Sequence, residues 1–241
     1  MTNNFSQDEI FQRTKLLLGE ENFLKLANST VAIFGIGGVG SFAAEALARS
    51  GVGHLILIDK DNIDATNINR QIHALVSSVG RSKVEVMRER ILEINPAAQV
   101  ETVQKFYLPN EVAENFFICD YDYVVDAIDT ITAKINLVVE CQRRGLRIIS
   151  SMGAGNKFNP TLFKVADIYQ TSVDPVAKVL RKKLKELGVK SLKVVYSDET
   201  PKKIAAENFS EKIIGSAAFV PSVAGLIIAA EVAKDLVGGF E

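Results

Sequence analysis

The sequence contains few cysteines and has no C-x-x-C pair. Its 241 residues include only Cys119 and Cys141, too few for a disulfide scaffold. We therefore expect the protein to work in a reducing compartment, the cytoplasm. The ligand spacing of a thiolate zinc site is also missing, so zinc is not expected. Free cysteines are commonly buried as small hydrophobic residues, and we predict a packing role for both.

The sequence also lacks an excess of charge of either sign. A net charge of -1 excludes a basic surface over the whole molecule, so binding to DNA is not expected and any contact with RNA requires a local patch. The polar N-terminal residues lack the apolar centre of a signal peptide. The run from 217 to 230 is nearly apolar but is short for a membrane span and contains Pro221. It predicts a buried helix rather than contact with a membrane.

Apolar and helical patterns alternate through the first 150 residues, in a chain that is 47% hydrophobic. Strands are predicted near 31–34, 54–58, 99–103, 122–126 and 146–150. Helices are predicted near 38–50, 80–94, 109–117 and 131–144. This alternation indicates an α/β fold, a doubly wound and mostly parallel sheet of the Rossmann type.

Additional elements flank this alternating region. Residues 6 to 27 predict an N-terminal helical extension that breaks at Gly19 and packs on the domain or on a partner subunit. After residue 150 the pattern predicts a strand over 161–168, a helix over 175–187 and a strand over 192–196. Because no linker separates these parts, we predict a single domain over 1–241. Its nucleotide-binding core would be 8–150, and 151–241 would complete the substrate side.

A glycine-rich segment directly follows the first predicted strand. Gly35, Gly37, Gly38 and Gly40 stand between that strand and an alanine-rich helical pattern. Glycine allows the tight turn and the close approach of a phosphate, which the N-terminus of the helix then attracts. Asp59 ends the second predicted strand, the position from which a carboxylate binds ribose hydroxyls. The segment therefore predicts a nucleotide-binding βαβ unit.

Polar residues after Asp59 favour a triphosphate over a dinucleotide. Arg70 and Lys83 can neutralise phosphate charge, although either alone is equally well explained as a solvated surface residue. Asp129 ends the strand near 122–126, where a carboxylate can bind Mg²⁺ or orient the attacked phosphate. Asp126 lies further inside that strand, which indicates a structural role. A nicotinamide-dependent oxidoreductase, the alternative of another class, leaves Arg70, Lys83 and Asp129 unused.

The joint pattern resembles the adenylating domain shared by ubiquitin-activating enzymes and the bacterial activators of thiamine and molybdopterin synthesis. The resemblance covers about residues 8 to 150. It is carried by Gly35, Gly37, Gly38, Gly40, Asp59, Asp61, Asn67, Asn69, Arg70, Gln71, Lys83 and Asp129. It implies that these positions other than Gln71, together with Thr130, form a site for ATP, with Mg²⁺ at Asp129. The reaction of the family is attack of a carboxylate on the α-phosphate of ATP, giving an acyl-adenylate and pyrophosphate.

Arg13 matches an arginine near the N-terminus of the same family. In the family, this arginine reaches the ATP phosphates bound by the neighbouring subunit. The resemblance therefore implies a homodimer with shared active sites. It also implies catalytic roles for Arg13, Arg70, Lys83 and Asp129.

The second half of the chain narrows the resemblance. Activators of ubiquitin-like proteins usually carry a cysteine there, whereas residues 151 to 241 contain none. The segments 150–157, 195–201 and 215–221 instead resemble the branch that acts on threonylcarbamoyladenosine in tRNA. That branch implies adenylation of the threonine carboxylate and ring closure by the tethered carbamoyl group, with release of AMP. Activation of a ubiquitin-like sulfur carrier, a catalytically silent nucleotide-binding scaffold, and a sulfur-transfer or cysteine desulfurase partner stay open.

A cluster of cations lies in the predicted helix over 175–187. A tRNA substrate requires a surface that binds phosphates, and this helix concentrates positive charge in a chain of nearly balanced charge. The candidate tRNA contacts are Lys178, Arg181, Lys182 and Lys185. The alternative is an ordinary solvated helix face.

Overall fold

The computed structural model describes residues 5–108, 115–203 and 214–239. The strands in these ranges are β1 (Thr30–Phe34), β2 (His54–Ile58), β3 (Gln99–Val103), β4 (Tyr123–Asp126), β5 (Ile148–Ser151), β6 (Phe163–Asp167) and β7 (Lys193–Ser197). The helices are α1 (Gln7–Leu18), α2 (Glu20–Ala27), α3 (Gly40–Arg49), α4 (Lys83–Ile94), α5 (Ile131–Arg144), α6 (Pro175–Glu186) and α7 (Phe219–Val237). The predicted helix over 109–117 falls mainly on residues 109–114, which lie outside the described ranges.

The strands form one sheet in the order β3-β2-β1-β4-β5-β7-β6. All neighbouring pairs are parallel except β6 and β7, which are antiparallel. The chain builds outward from β1 first to one side and then, from β4, to the other. This confirms the predicted doubly wound sheet. In such sheets a ligand binds beyond the carboxyl ends of the strands where the order reverses, here between β1 and β4.

Side chains of β1 alternate between two hydrophobic cores because successive residues of a strand point to opposite faces. Val31 and Ile33 face the layer formed by α3, α4 and α7. Ala32 and Phe34 face α5 and the buried rings of Tyr107, Phe116 and Tyr121. Both faces of the sheet are covered, which explains why the strands appear in the sequence as short apolar runs.

The N-terminal residues form the predicted helical extension, α1 and α2. Gly19 lies at the break with a φ of +78°, and the rings of Phe11 and Phe23 pack 5.3 Å apart across it. Leu26 of α2 packs against the end of α7, so the extension contacts its own domain. Leu16 and Leu17 point outward and are 80% and 84% exposed.

The apolar run over 217–230 lies within α7, which is buried against α3, and the prediction of a buried helix is correct. None of the described helices is long and apolar enough to cross a membrane. Helix α4 begins three residues later than the predicted 80–94. Gly80 has a φ of +88°. Gly80 N donates to Ile63 O, Arg81 O accepts from Ile63 N, and Lys83 N donates to Asp61 O, so these groups bond to the preceding loop and not to a helical turn.

Candidate nucleotide-binding site

Two glycines of the loop after β1 are required by close backbone contacts. Gly35 has a φ of +91°, and a Cβ placed on it would lie 2.6 Å from the carbonyl oxygen of Ala127. A Cβ on Gly40 would overlap the carbonyl oxygen of Gly35. No other residue type fits either position without moving the backbone. The loop is therefore held against the end of β4 and leads directly into α3.

The other two glycines leave room above the loop. A Cβ on Gly37 would have no atom within 4 Å, so this peptide faces open space. A Cβ on Gly38 would lie 3.1 Å from Cβ of Pro221 and 3.4 Å from Cγ of Arg70. The loop, the start of α7 and the Arg70 side chain thus meet at one point. The open backbone beside the N-terminus of α3 can accommodate a phosphate group.

Asp59 connects the end of β2 to the glycine loop. Its Oδ2 accepts a hydrogen bond from Ile36 N at 2.7 Å, and its Oδ1 accepts one from Asp61 N at 2.9 Å. The carboxylate thus holds the loop in place. Contact between Asp59 and a ribose remains a prediction.

Lys83 is buried at the first turn of α4, with only 6% of the residue exposed. Its Nζ donates to Oδ2 of Asp61 at 3.0 Å, and Lys60 Nζ donates to Oδ1 of the same carboxylate at 2.6 Å. Burial acts to raise the pKa of Asp61, but the hydrogen bonds from Lys60 and Lys83 hold this pKa below its usual value. The interpretation of Lys83 as a solvated surface residue is wrong.

Lys60 is a cation of this site that the sequence did not single out. Hydrogen bonding to Asp61 is the main cause of its raised pKa, and the charges of Asp59 and Asp129 contribute. Its Nζ also lies 5.1 Å from the centre of the Phe106 ring. Residues from the ends of β2, β3 and β4 therefore meet at one edge of the sheet. The single available signal was the position of Lys60 between two candidate carboxylates.

Arg70 is oriented entirely by neutral acceptors. Its Nη1 donates to Thr66 O and to Asn69 Oδ1, both at 2.8 Å. Asn69 in turn donates from Nδ2 to Ser216 O at 3.0 Å, which links this loop to the segment before α7. The positive charge of Arg70 is therefore available to a phosphate. Asn67 has a structural contact in addition to its predicted nucleotide role, because its Oδ1 accepts from Asp64 N at 3.1 Å.

Asp129 is exposed in the loop between β4 and α5. Its Oδ1 accepts a hydrogen bond from Oγ1 of Thr130 at 3.3 Å. Asp126 is fully buried and accepts from Lys134 Nζ at 3.0 Å and from the Ser150 hydroxyl, which agrees with the structural role predicted for it. The described residues contain no cluster of three His, Cys, Asp or Glu side chains that could hold a metal ion. Binding of Mg²⁺ at Asp129 remains a prediction.

Arg13, the fourth predicted catalytic residue, does not lie at this site within the same chain. It lies on the exposed side of α1, and α1 packs through Phe11 onto Phe23 of α2. Gly37, Arg70, Lys83 and Asp129 all lie at the carboxyl edge of the sheet. Within one chain the structure thus assembles three of the four predicted catalytic residues.

The two cysteines occupy different environments. Cys141 is buried in α5, as predicted, and burial raises the pKa of its thiol. The expected packing role is wrong for Cys119, which is exposed. It lies in a turn between Phe116 and Tyr121, whose rings enter the core while residues 118–120 stay outside. Partial burial and the charges of Glu101 and Asp120 raise the pKa of the Cys119 thiol, so it is not an activated thiolate.

The four cations predicted to contact tRNA lie together on α6. Lys178, Arg181, Lys182 and Lys185 line an open groove of about 750 Å³, together with Tyr169 and Val189. Arg181 is fixed by hydrogen bonds from Nη1 to Thr171 O at 2.7 Å and to Thr171 Oγ1 at 2.6 Å. The three lysines are exposed.

The first turn of α6 is attached to the carboxyl edge of the sheet. Asp174 accepts a hydrogen bond from the buried Nζ of Lys157 at 2.6 Å, and the same Nζ donates to Gly153 O at 2.8 Å. It also donates to Ser197 O, at the end of β7. The N-terminus of α6 therefore lies at the edge of the sheet that carries the glycine loop. The groove, whose lining includes Tyr169 and Val189 near the start of β7, extends along α6 toward the opposite edge.

A doubly wound sheet, a glycine loop before a helix and cations at the reversal of strand order define an α/β protein that binds a phosphorylated nucleotide. The model of the ThiF family matches residues 11–239. The chain therefore belongs to the ThiF family.

The chain is similar to several characterised members of this family. It is 50% identical to tRNA threonylcarbamoyladenosine dehydratase of Bacillus subtilis, over 96% of both chains. Its fold matches crystal structures of Escherichia coli tRNA N6-threonylcarbamoyladenosine dehydratase in complex with AMP and with ATP, with TM-scores of 0.88 and 0.87. Sequence identity in both comparisons is 37%, covering 96% of this chain and 95% of the other.

Proposed function

We propose that this protein is an ATP-dependent enzyme that adenylates the threonine carboxylate of threonylcarbamoyladenosine in tRNA. A carboxylate oxygen attacks the α-phosphorus of ATP, and pyrophosphate leaves. The tethered carbamoyl group then attacks the activated carbonyl carbon, and AMP leaves with the former carboxylate oxygen. The nucleoside loses one water in total. The observation that carries the proposal is the convergence of Arg70, Lys83 and the open glycine loop, in a chain similar over nearly its full length to such dehydratases.

The residues of the site divide this chemistry between them. The glycine loop and the N-terminus of α3 can bind phosphate through backbone N–H groups. Arg70 and Lys83 can stabilise the charge that develops on the phosphates during attack. Asp129 can share Mg²⁺ with ATP. These roles require no enzyme thiol, because the substrate carries its own nucleophile.

The alternatives make different demands on the same site. Activation of a sulfur carrier through a thioester or persulfide requires a reactive thiolate, and both thiols of this chain have raised pKa values. A nicotinamide-dependent oxidoreductase leaves the cations around Asp61 without a role. Measuring AMP release from ATP, with and without tRNA that carries threonylcarbamoyladenosine, tests the proposal. The proposal would be contradicted if AMP were released at the same rate with and without the modified tRNA, or if the protein bound NAD instead of ATP.

The thiols provide a first prediction. We expect the double variant Cys119→Ser/Cys141→Ala to keep most of its ATP-dependent dehydration activity, because ring closure uses the carbamoyl group of the substrate. A modest loss of stability is expected from changing the buried Cys141. The measurement is mass analysis of nucleosides from treated tRNA, which detects the loss of one water. A folded variant that releases pyrophosphate normally but never completes the dehydration would establish a catalytic cysteine.

We further propose that the groove on α6 binds the tRNA backbone. Its three exposed lysines and Arg181 provide positive charge along a helix whose first turn lies at the carboxyl edge of the sheet. A tRNA whose anticodon loop reaches that edge can extend its stem along the helix. Such contacts depend on phosphate charge and not on base identity.

Charge reversal on α6 tests this proposal. We expect Arg181→Glu/Lys182→Glu/Lys185→Glu to weaken tRNA binding and to flatten its salt dependence, because fewer counterions are released. Affinity for ATP should not change. Lys25→Glu on α2, where Lys25 forms an exposed ion pair with Glu21, is the control for reversal of a charge outside the groove. Equal tRNA affinity and equal salt slope in the triple variant and the wild type would show that α6 is only solvated surface.

We also propose that the protein is a homodimer of the cytoplasm, with Arg13 completing the site of the partner subunit. Leu16 and Leu17 are adjacent on α1 and are 80% and 84% exposed, so a partner subunit could cover them. Arg13 lies between Phe11 and these leucines on the same helix.

A further inference from the structure

Two exposed aromatic rings form a pair close to the nucleotide site. Phe158 and Phe219 are 59% and 42% exposed, and their ring centres lie 5.0 Å apart at an interplanar angle of 85°. Nζ of Lys202 lies 5.3 Å from the centre of the Phe158 ring. We call Phe158, Phe219 and Lys202 the aromatic platform. The site described above uses none of these residues.

The platform is built on a tightly connected stretch of backbone. Asn156 donates from its N–H to Gly215 O at 2.7 Å, and its Oδ1 accepts from Gly215 N at 2.6 Å. Its carbonyl oxygen accepts from Lys202 N at 2.7 Å. Asn156 has a φ of +58°, a left-handed conformation that asparagine tolerates better than most residues. One residue thereby joins the three chain segments that carry Phe158, Lys202 and Phe219.

Glu199 holds the backbone of the loop that carries Phe158. Its carboxylate accepts hydrogen bonds from Phe158 N at 2.9 Å and from Asn159 N at 2.8 Å. The carboxylate of Glu199 is thus engaged by two backbone N–H groups. Lys202 and Lys203 follow Glu199 in the same described segment and are exposed. A rigid pair of rings beside positive charge is complementary to a nucleotide, whose base has two apolar faces and whose phosphate is anionic.

The platform adjoins the phosphate-binding loop. Ser216, three residues before Phe219, accepts a hydrogen bond from Asn69 of the Arg70 loop at 3.0 Å. Pro221, two residues after Phe219, lies against Gly38, where a Cβ would come within 3.1 Å of it. The segment that carries Phe219 therefore contacts both the glycine loop and the loop of Arg70.

We propose that the aromatic platform stacks an unpaired base of the RNA loop that carries the substrate adenosine, while Lys202 pairs with the phosphate of that nucleotide. This inference rests on the proposed function. A nucleoside within a loop reaches an enclosed site only if the loop opens, which unstacks neighbouring bases. Proteins compensate such unstacking by placing the freed bases on aromatic side chains. The pair provides this surface next to the reacting group, while the groove on α6 serves the stem.

Substitution of the rings tests the platform. We expect Phe158→Ala and Phe219→Ala each to weaken binding of tRNA carrying threonylcarbamoyladenosine on the order of tenfold to a hundredfold, the range for loss of one stacked base. Phe158→Trp should restore binding, whereas Phe158→Leu should not, because leucine packs but has no π face. The slope of affinity against salt should stay unchanged in the ring variants. Lys202→Ala should reduce that slope by about one phosphate contact.

The readouts separate the platform from the proposed function. Affinity for ATP is measured for every variant and should equal that of the wild type. The proposed function would be overturned if the wild-type protein released AMP at the same rate with and without modified tRNA. An active wild type whose Phe158→Leu and Phe158→Ala variants bind tRNA normally would overturn the platform alone. A change in oligomeric state of the ring variants, seen by sedimentation, would assign the surface to a second copy of this chain and also overturn the platform.

Discussion

Lys83→Ala is expected to lower the rate of ATP-dependent pyrophosphate release by at least ~100-fold, the scale of losing one preorganised contact to developing charge. Lys83 is buried, and α4 holds it in place beside Asp61. Its ammonium group therefore requires little reorganisation when phosphate charge develops. The effect should appear in single-turnover experiments with saturating ATP and modified tRNA.

The variant should fold, which makes the result interpretable. After loss of Lys83, Asp61 keeps the hydrogen bond from Lys60 at 2.6 Å, so no carboxylate is left without a partner. We expect a small change in the thermal unfolding midpoint, and Lys25→Ala provides the control for removal of a lysine elsewhere. Near-normal pyrophosphate release by Lys83→Ala would remove this residue from catalysis.

Arg70→Ala should show a loss of similar size, for a different structural reason. Arg70 is oriented by Thr66 and Asn69, and no carboxylate of the described ranges pairs with it, so its charge is available to a ligand. Arg70→Lys keeps the charge but loses the planar fork, and should recover only part of the activity. Full recovery by lysine would mean that only the charge at this position matters.

The fold was largely predictable because its central strands are buried on both faces. The apolar runs over 31–34 and 54–58 correspond to β1 and β2 within one residue, and the partly polar residues 99–103 form the edge strand β3. The start of α4 was less predictable. Residues 80–82 bond to the loop near Ile63, and a partner distant in sequence is not visible in local helical periodicity.

The residues of the candidate site were predictable where the geometry of a turn or of a strand end requires a particular residue type. Gly35 and Asp59 are examples, because their roles follow from local geometry. Exposure was harder to predict, since it depends on which neighbours enter the core. Lys83 is buried although lysine is normally exposed, and Cys119 is exposed although free cysteine is normally buried. The aromatic platform requires contacts among three separate segments, which no local pattern contains.

Arg13→Ala and Asp129→Ala should each reduce adenylation at least ~100-fold when assayed alone, yet a mixture of the two variants should regain activity. Arg13 lies on the exposed side of α1, away from the carboxyl edge of the sheet that carries Asp129. If Arg13 of one subunit serves the site of the other, a hybrid dimer contains one intact site and one doubly altered site. With random exchange of subunits, about a quarter of wild-type activity should return.

A second mixture controls for recovery by any other route. Asp129→Ala and Lys83→Ala change the same core, so their hybrid dimer contains no intact site and should stay inactive. Subunit exchange is verified with differently tagged chains in both mixtures. If Arg13 instead acted within its own subunit, the hybrid with Asp129→Ala would also contain no intact site, and exchange would restore nothing. Recovery in the first mixture only would therefore establish both the dimer and the transfer of Arg13 across it, because no arrangement confined to one chain gives that result.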